Sequence, residues 1–272
     1  MMRPVGSGGI LIEATLEENL AMVRDLGFHE IDILLISGWA HVNIDELAAD
    51  YAGVCGRIEK LLSRYGLAVA SVNAKYSVKL EDEGAAEQRQ RELDALLRFM
   101  KDFGTTRASI QPTLTGDAAY LERTRAAAVK EAHRQIVYAR ERGMSLSVEP
   151  HVNSCLCHTP ELKAALREYP DFAFTYDPSH LIAAGEEIRD LDYLARNTAV
   201  AHLRDARPGE LFVPCGEGTL DIPHAVGALK RAGYDGPVAI EYLSDKPDAT
   251  IYEDMGRFVE RVTKAIRACQ ET

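Results

Sequence analysis

Residues 141–151 read Glu-Arg-Gly-Met-Ser-Leu-Ser-Val-Glu-Pro-His. Gly143 follows the end of an amphipathic segment. A helix that stops and turns back needs a left-handed residue there, which glycine supplies without a Cβ clash. Ser145 to Glu149 then make a short strand with Leu146 and Val148 set between small serines, and the recurring strands taken together are mostly apolar, as expected when both faces of a strand are covered. The strand ends in polar residues, Glu149 and His151 around Pro150. The same unit recurs. Leu26-Gly27 precedes 29–34, Tyr65-Gly66 precedes 67–73, Phe103-Gly104 precedes 107–111, and Ala232-Gly233 precedes 237–241.

The intervening segments carry helix signals. Thr15 and Glu18 form a capping-box pattern, with Leu16, Leu20 and Val23 following at helical spacing. Ala128, Ala132, Ile136 and Ala139 make a narrow apolar stripe suited to close packing on a sheet. Thr159-Pro160 reads as an N-cap with proline at the first helical position. Strands are expected near 9–13, 29–34, 67–73, 107–111, 145–149, 172–176, 199–203 and 237–241. Eight strands alternating with helices imply an α/β fold, a single (β/α)8 TIM barrel spanning residues 1–272 as one domain. The connection from Trp39 to Ala49 is long and is placed over the barrel mouth.

The chain has 272 residues, 46% of them hydrophobic, enough to bury a full core. Its net charge of -11 argues against general nucleic-acid binding, because an acidic surface repels phosphate backbones. Five scattered cysteines, an odd number, do not read as a disulfide framework and fit a reducing cytoplasm. No apolar stretch approaches a membrane span and no signal-peptide pattern opens the sequence. These features lead us to expect a cytoplasmic protein without a membrane partner.

In barrels of this kind the active site lies at the C-terminal ends of the strands. Strand 5 ends in Glu149, strand 6 in Asp177, strand 7 contains His202 and strand 8 ends in Glu241. Each has a bland reading: an arginine-paired glutamate, an Asp-Pro turn, a core histidine, a solvated glutamate. Four coincidences on one rim are much less frequent than any one. Three carboxylates around one point repel one another, and a divalent cation removes that repulsion while an imidazole completes the shell. Mn2+ suits such a shell best, with Mg2+, Co2+ and Zn2+ as alternatives.

The segments Ser-Val-Glu149-Pro, Thr-Tyr-Asp177-Pro-Ser-His180, Ala-His202-Leu-Arg-Asp and Ala-Ile-Glu241-Tyr resemble the xylose-isomerase-like TIM barrel superfamily. The resemblance runs over nearly the whole chain and is sharpest from Ser145 to Tyr242. It implies that Glu149, Asp177, His202 and Glu241 bind metal, that Glu149 and Glu241 move protons, and that His180 touches substrate. It also implies a small carbohydrate or polyol substrate, and a homodimer, as is common in the group. The ketose 3-epimerases of the group carry a glutamate where this chain has Cys155 and a substrate arginine where it has Pro208. Arg204 and Arg207 lie close by as substitutes. The apurinic endonucleases fit less well: their strand-end histidines fall on Asn73 and Gln111, and their Asp-x-His is absent.

Around these positions, His151 is a candidate for substrate contact, and Lys75 and Gln111 for sugar hydroxyls. Trp39, the one tryptophan, is a candidate for stacking on a sugar ring. Cys155-Leu-Cys157-His158 is read as loop rather than zinc site, and Gly216-Glu217-Gly218 as a turn rather than a phosphate loop. The functional expectation is a metal-dependent sugar or keto-sugar isomerase or epimerase working through an enediolate. A metal-dependent lyase of a cyclic polyol or keto acid is the alternative. A non-catalytic metal- or sugar-binding barrel stands behind both.

Overall fold

A computed structural model describes residues 1–242 and 249–270. Seven parallel strands form one sheet: β1 (Arg3–Ser7), β2 (Glu30–Ile36), β3 (Ala68–Lys75), β4 (Arg107–Ile110), β5 (Ser145–Val148), β6 (Ala201–Leu203) and β7 (Pro237–Ile240). Their order is β5-β4-β3-β2-β1-β7-β6. The helices between them are α1 (Leu16–Asp25), α2 (Ile44–Ala49), α3 (Tyr51–Tyr65), α4 (Ala86–Asp102), α5 (Ala118–Arg140), α6 (Thr159–Glu168), α7 (Pro178–Ala183), α8 (Ile222–Arg231) and α9 (Ala249–Gln270). None of the described helices is long and apolar enough to cross a membrane.

The five glycines that mark the repeat all sit in the left-handed region, with φ from +60° at Gly66 to +88° at Gly27. Each turns the chain out of a helix and into the next strand. The capping box at Thr15 and Glu18 is present, with each side chain bonded to the other's backbone. The Ala128–Ala139 stripe is buried. At α6 the N-cap is His158 rather than Thr159, whose hydroxyl bonds Glu186 instead.

Two strand expectations need correction. Strand 1 lies at Arg3–Ser7, not 9–13, in register with Pro237–Ile240 on one side and Ile31–Asp32 on the other. Gly8 then packs so tightly on β2 that a Cβ would stand 3.0 Å from the Asp32 carbonyl oxygen, and the chain turns away. Ile10 and Leu11 are buried as a loop plug. The second correction concerns 172–176, which forms no ladder. It makes single parallel bridges, Phe174 to Val148 of β5 and Tyr176 to Ala201 of β6. It therefore stands between the two ends of the curled sheet. Phe172, Phe174 and Tyr176 are fully buried there.

The interior is not purely aliphatic. Asp32, Ser71, Ser109, Ser147, Thr175 and His202 are all buried. The hydroxyls of Ser109 and Ser147 both meet that of Thr175, at 2.6 and 2.9 Å. Such a layer is tolerated because its polar groups satisfy one another.

Candidate metal centre

Backbone pairing pins each expected ligand. The Glu149 N–H donates to Ile110, that of His202 to Tyr176 and that of Glu241 to Leu203. Asp177 caps α7: its carboxylate accepts from the Ser179 backbone at 2.9 Å, and Pro178 fills the first helical turn. The consequence is convergence. One ligand atom from each of Glu149, Asp177, His202 and Glu241 lies within 4.8 Å of the others, and all four residues are buried.

His202 is the hub. Its Nδ1 lies 2.7 Å from a Glu149 oxygen and 3.5 Å from a Glu241 oxygen. Its Nε2 faces Asp32 at 3.6 Å and makes no hydrogen bond. Burial alone would lower its proton affinity. Glu241, the hydrogen bond to Glu149 and the Asp32 charge outweigh burial and push it up to about 10. A site that holds a proton this firmly carries excess negative charge, so its donor set fits a divalent cation. Asp32 itself is pushed up to about 6, chiefly by burial.

Arg204 is a second positive charge in the site. Its guanidinium donates to Asp177 at 2.5 Å, to the Ser179 hydroxyl at 2.8 Å and to His180 Nε2 at 2.8 Å. It also pairs with Glu241 at 2.8 Å and lies under the Phe212 ring. His180 is held well below its ordinary value, by burial first and then by Arg204, so its imidazole is neutral. Glu149, His151 and His180 also offer atoms close enough for an ion. The guanidinium already occupies His180 Nε2 there, which disfavours a second cation.

Above this floor opens a cavity of about 460 Å3. Glu149, His151, His180, Arg204, Gln111, Lys75, Asn73, Trp39 and Glu241 line it, together with the apolar Leu34, Ile36, Leu114, Leu211 and Phe212. Trp39 and Phe212, 45% and 37% exposed, stand at the mouth. His151 stacks on His180 with ring centroids 3.9 Å apart. The structure thus brings together every expected site residue except Arg207. That side chain is exposed, bonds Glu210 and does not line the cavity. Its neighbour Arg204 turns inward instead.

Asp32 is the residue that sequence reasoning passed over. The signal was present: one aspartate inside the apolar run Glu-Ile-Asp-Ile-Leu, in a strand covered on both faces. A buried carboxylate needs a partner, and Asp32 has the Ser71 hydroxyl and faces His202. The cysteine loop carries no metal cluster among the described residues. Cys155 is a free thiol that burial pushes up to about 12.

The Gly216–Gly218 segment is a turn around Asp205. The Asp205 carboxylate accepts from the backbone N–H groups of Gly216 at 2.8 Å and Leu220 at 3.3 Å. A Cβ on Gly218 would stand 2.0 Å from its oxygen and 2.6 Å from the Ala206 carbonyl. Gly218→Ala is therefore expected to cost about 1–3 kcal/mol in urea unfolding, the usual range for overpacking. An unchanged midpoint would show that the turn yields freely.

Metal uptake should release a proton. In metal-free protein, the raised His202 stabilises the fold fully below its ordinary 6.5, and this contribution is lost as pH rises through about 10. A metal binds only the neutral imidazole. At about pH 7.5, calorimetry in buffers of different ionisation enthalpy should show about one proton released per ion bound. Apparent affinity should rise with pH up to about 10. Zero release would mean that His202 is already neutral.

Parallel strands with a polar cluster at their C-terminal ends define a protein of the α/β-barrel class. The chain belongs to the Xylose isomerase-like TIM barrel family, whose model matches residues 20–269. Among solved structures, it is similar to a xylose isomerase domain protein from Alicyclobacillus acidocaldarius, at 24% identity and TM-score 0.69, covering 99% of this chain and 100% of that one. It is similar to a xylose isomerase-like TIM barrel protein from Mycobacterium smegmatis in complex with magnesium, at 17% and 0.71, covering 97% and 98%. An L-ribulose 3-epimerase shares the fold at 15% and 0.67, covering 100% and 96%. None of the curated proteins compared with the chain matches it.

Proposed function

We propose that this protein is a divalent-metal-dependent isomerase or epimerase of a sugar or keto-sugar, moving a proton on the carbon next to a carbonyl. On this reading 172–176 completes an eight-stave barrel and residues 1–272 act as one domain. The observation that carries the proposal is the placement of Glu149 and Glu241. They reach the same imidazole nitrogen from β5 and β7 and both line one cavity.

Glu149, Asp177, His202 and Glu241 would hold the ion, with Mn2+ favoured. When bound, it would polarise the substrate carbonyl and lower the cost of the enediolate's charge. The protein's own groups do the rest. One glutamate removes the proton and the other returns it, a role for which carboxylates at the floor of a cavity are suited. His202, fixed between Glu149 and Glu241, keeps the two carboxylates in register. Arg204 holds Asp177 and Glu241 in place from behind. Trp39, Phe212 and the leucine-lined wall exclude water from the reacting carbon. The magnesium-bound neighbour and the epimerase with this fold agree with the reading.

The lyase reading needs a proton donor over a leaving hydroxyl. His180, the first candidate, is neutral and accepts a hydrogen bond from Arg204. His151, the other candidate donor, lines the same cavity, so the lyase stands as the second reading.

The test is elemental analysis of purified wild type beside His202→Ala, followed by solvent-deuterium exchange on a panel of ketoses. About one Mn, Co or Zn ion per chain, lost in the variant, is expected from four converging ligands. Deuterium entering a ketose at the carbon next to its carbonyl is the second expected result. Metal without exchange would move the reading to the lyase. A wild type that takes up no ion after supplementation would end the metal-based proposal.

A further inference from the structure

We propose that the cavity contains a carboxylate subsite built from Lys75 and Gln111, so that the substrate is an acidic sugar rather than a neutral one. The inference rests on the reaction proposed above and narrows its substrate class.

Lys75 is the last residue of β3, and Asn73 precedes it by one pleat repeat. Residues two apart on a strand share a face, displaced by about 7 Å. Asn73 donates to Glu241 at the cavity floor, at 3.3 Å. Both it and Lys75 line the cavity, so Lys75 sits one step closer to the mouth. Around it the wall is apolar: Leu34, Ile36 and Trp39.

The ammonium of Lys75 has no ion-pair or hydrogen-bond partner among the described residues, although it is half-buried. The cavity's own carboxylates are engaged elsewhere, Glu149 with His202 and Glu241 with Arg204. Half-buried arginines in this chain do find carboxylates, as Arg107 finds Asp235 and Arg125 finds Glu161. An ammonium on a cavity wall without a counter-charge among the described residues is free to pair with an anionic group that a ligand brings.

Gln111 stands beside it. Its backbone N–H donates to the Ala74 carbonyl, 2.8 Å away, at the adjoining strand end. Its amide lines the cavity and has no hydrogen-bond partner among the described residues. One ammonium and one amide suit the single charge of a carboxylate. A phosphate dianion usually recruits several N–H groups at an open helix start. The start of α7 at this rim is already capped by Asp177. The chain's net charge of -11 repels acids from its surface, so a cation inside the cavity is what would draw one in.

The test uses matched probes, D-gluconate against D-glucitol, with inorganic phosphate as a third. Reductive 13C-methylation gives the Lys75 ammonium its own NMR signal, assigned by its disappearance in Lys75→Arg. In both Mg2+-loaded and chelated protein, gluconate should shift that signal saturably and glucitol should not. By calorimetry, Lys75→Met should weaken gluconate about tenfold, the equivalent of ~1.4 kcal/mol, and leave glucitol unchanged. Lys75→Arg should retain the preference. A Lys75 signal that no probe moves overturns the proposal, as does a gluconate preference that survives Lys75→Met. Phosphate binding more tightly than gluconate through Lys75 overturns the carboxylate assignment. A Lys75 response in protein that takes up no metal leaves the subsite standing and removes the proposed reaction instead.

Discussion

Glu149→Gln and Glu241→Gln are each expected to lower turnover by about 10²–10⁴-fold, the usual worth of a positioned acid or base. The amide keeps the shape of the side chain and one ligand oxygen but cannot carry a proton between substrate faces. The informative readout is the asymmetry between the two variants. With one glutamate on each face, each variant should lose solvent-deuterium exchange from one epimer and keep it from the other, and the variants should lose opposite ones. If one variant loses exchange from both epimers while the other loses neither, a single base is at work. If both keep wild-type turnover, neither carboxylate is the proton carrier.

Arg204→Met should be severe in a different way. The guanidinium is buried and touches Asp177, Glu241, Ser179 and His180. Its removal takes the guanidinium from Asp177 and leaves Glu241 with His202 as its one positive neighbour among the described residues, and breaking a buried pair from one side costs about 3–5 kcal/mol. Unfolding by urea in chelator should show that loss. Saturating Mn2+ should recover part of it, because the ion replaces the missing charge and binds only the folded chain. A variant as stable as wild type in chelator would mean that the carboxylates are neutral or screened by water.

The parts of this molecule legible in its sequence are those set by local backbone chemistry. A glycine past a helix end, such as Gly143, announces the turn because its conformation is needed whatever the distant contacts are. Glu149, Asp177, His202 and Glu241 could be found because strand ends are where barrel chemistry collects. What the sequence hid depends on partners far along the chain. Asp32 acquires meaning only when His202, 170 residues later, comes to face it. Arg204 and Arg207 are equivalent in Arg-Asp-Ala-Arg until the turn around Asp205 points one inward and the other out. The missing ladder at 172–176 and the early start of β1 are questions of register. Neighbouring strands decide these, and residue types do not.

Arg204 and Asp205 are adjacent, yet they serve opposite clients. Arg204 braces the acidic floor, while Asp205 ties down the loop that brings Leu211 and Phe212 to the mouth. The loop from Ala206 to Leu220 is thus moored at a point beside the floor that is not itself part of it. Such a segment behaves as an exchangeable cassette. A graft that keeps Asp205 and Gly218 can alter what the entrance accepts while leaving Glu149, Asp177, His202 and Glu241 in place, so divergence in substrate choice within this lineage would be expected to accumulate there.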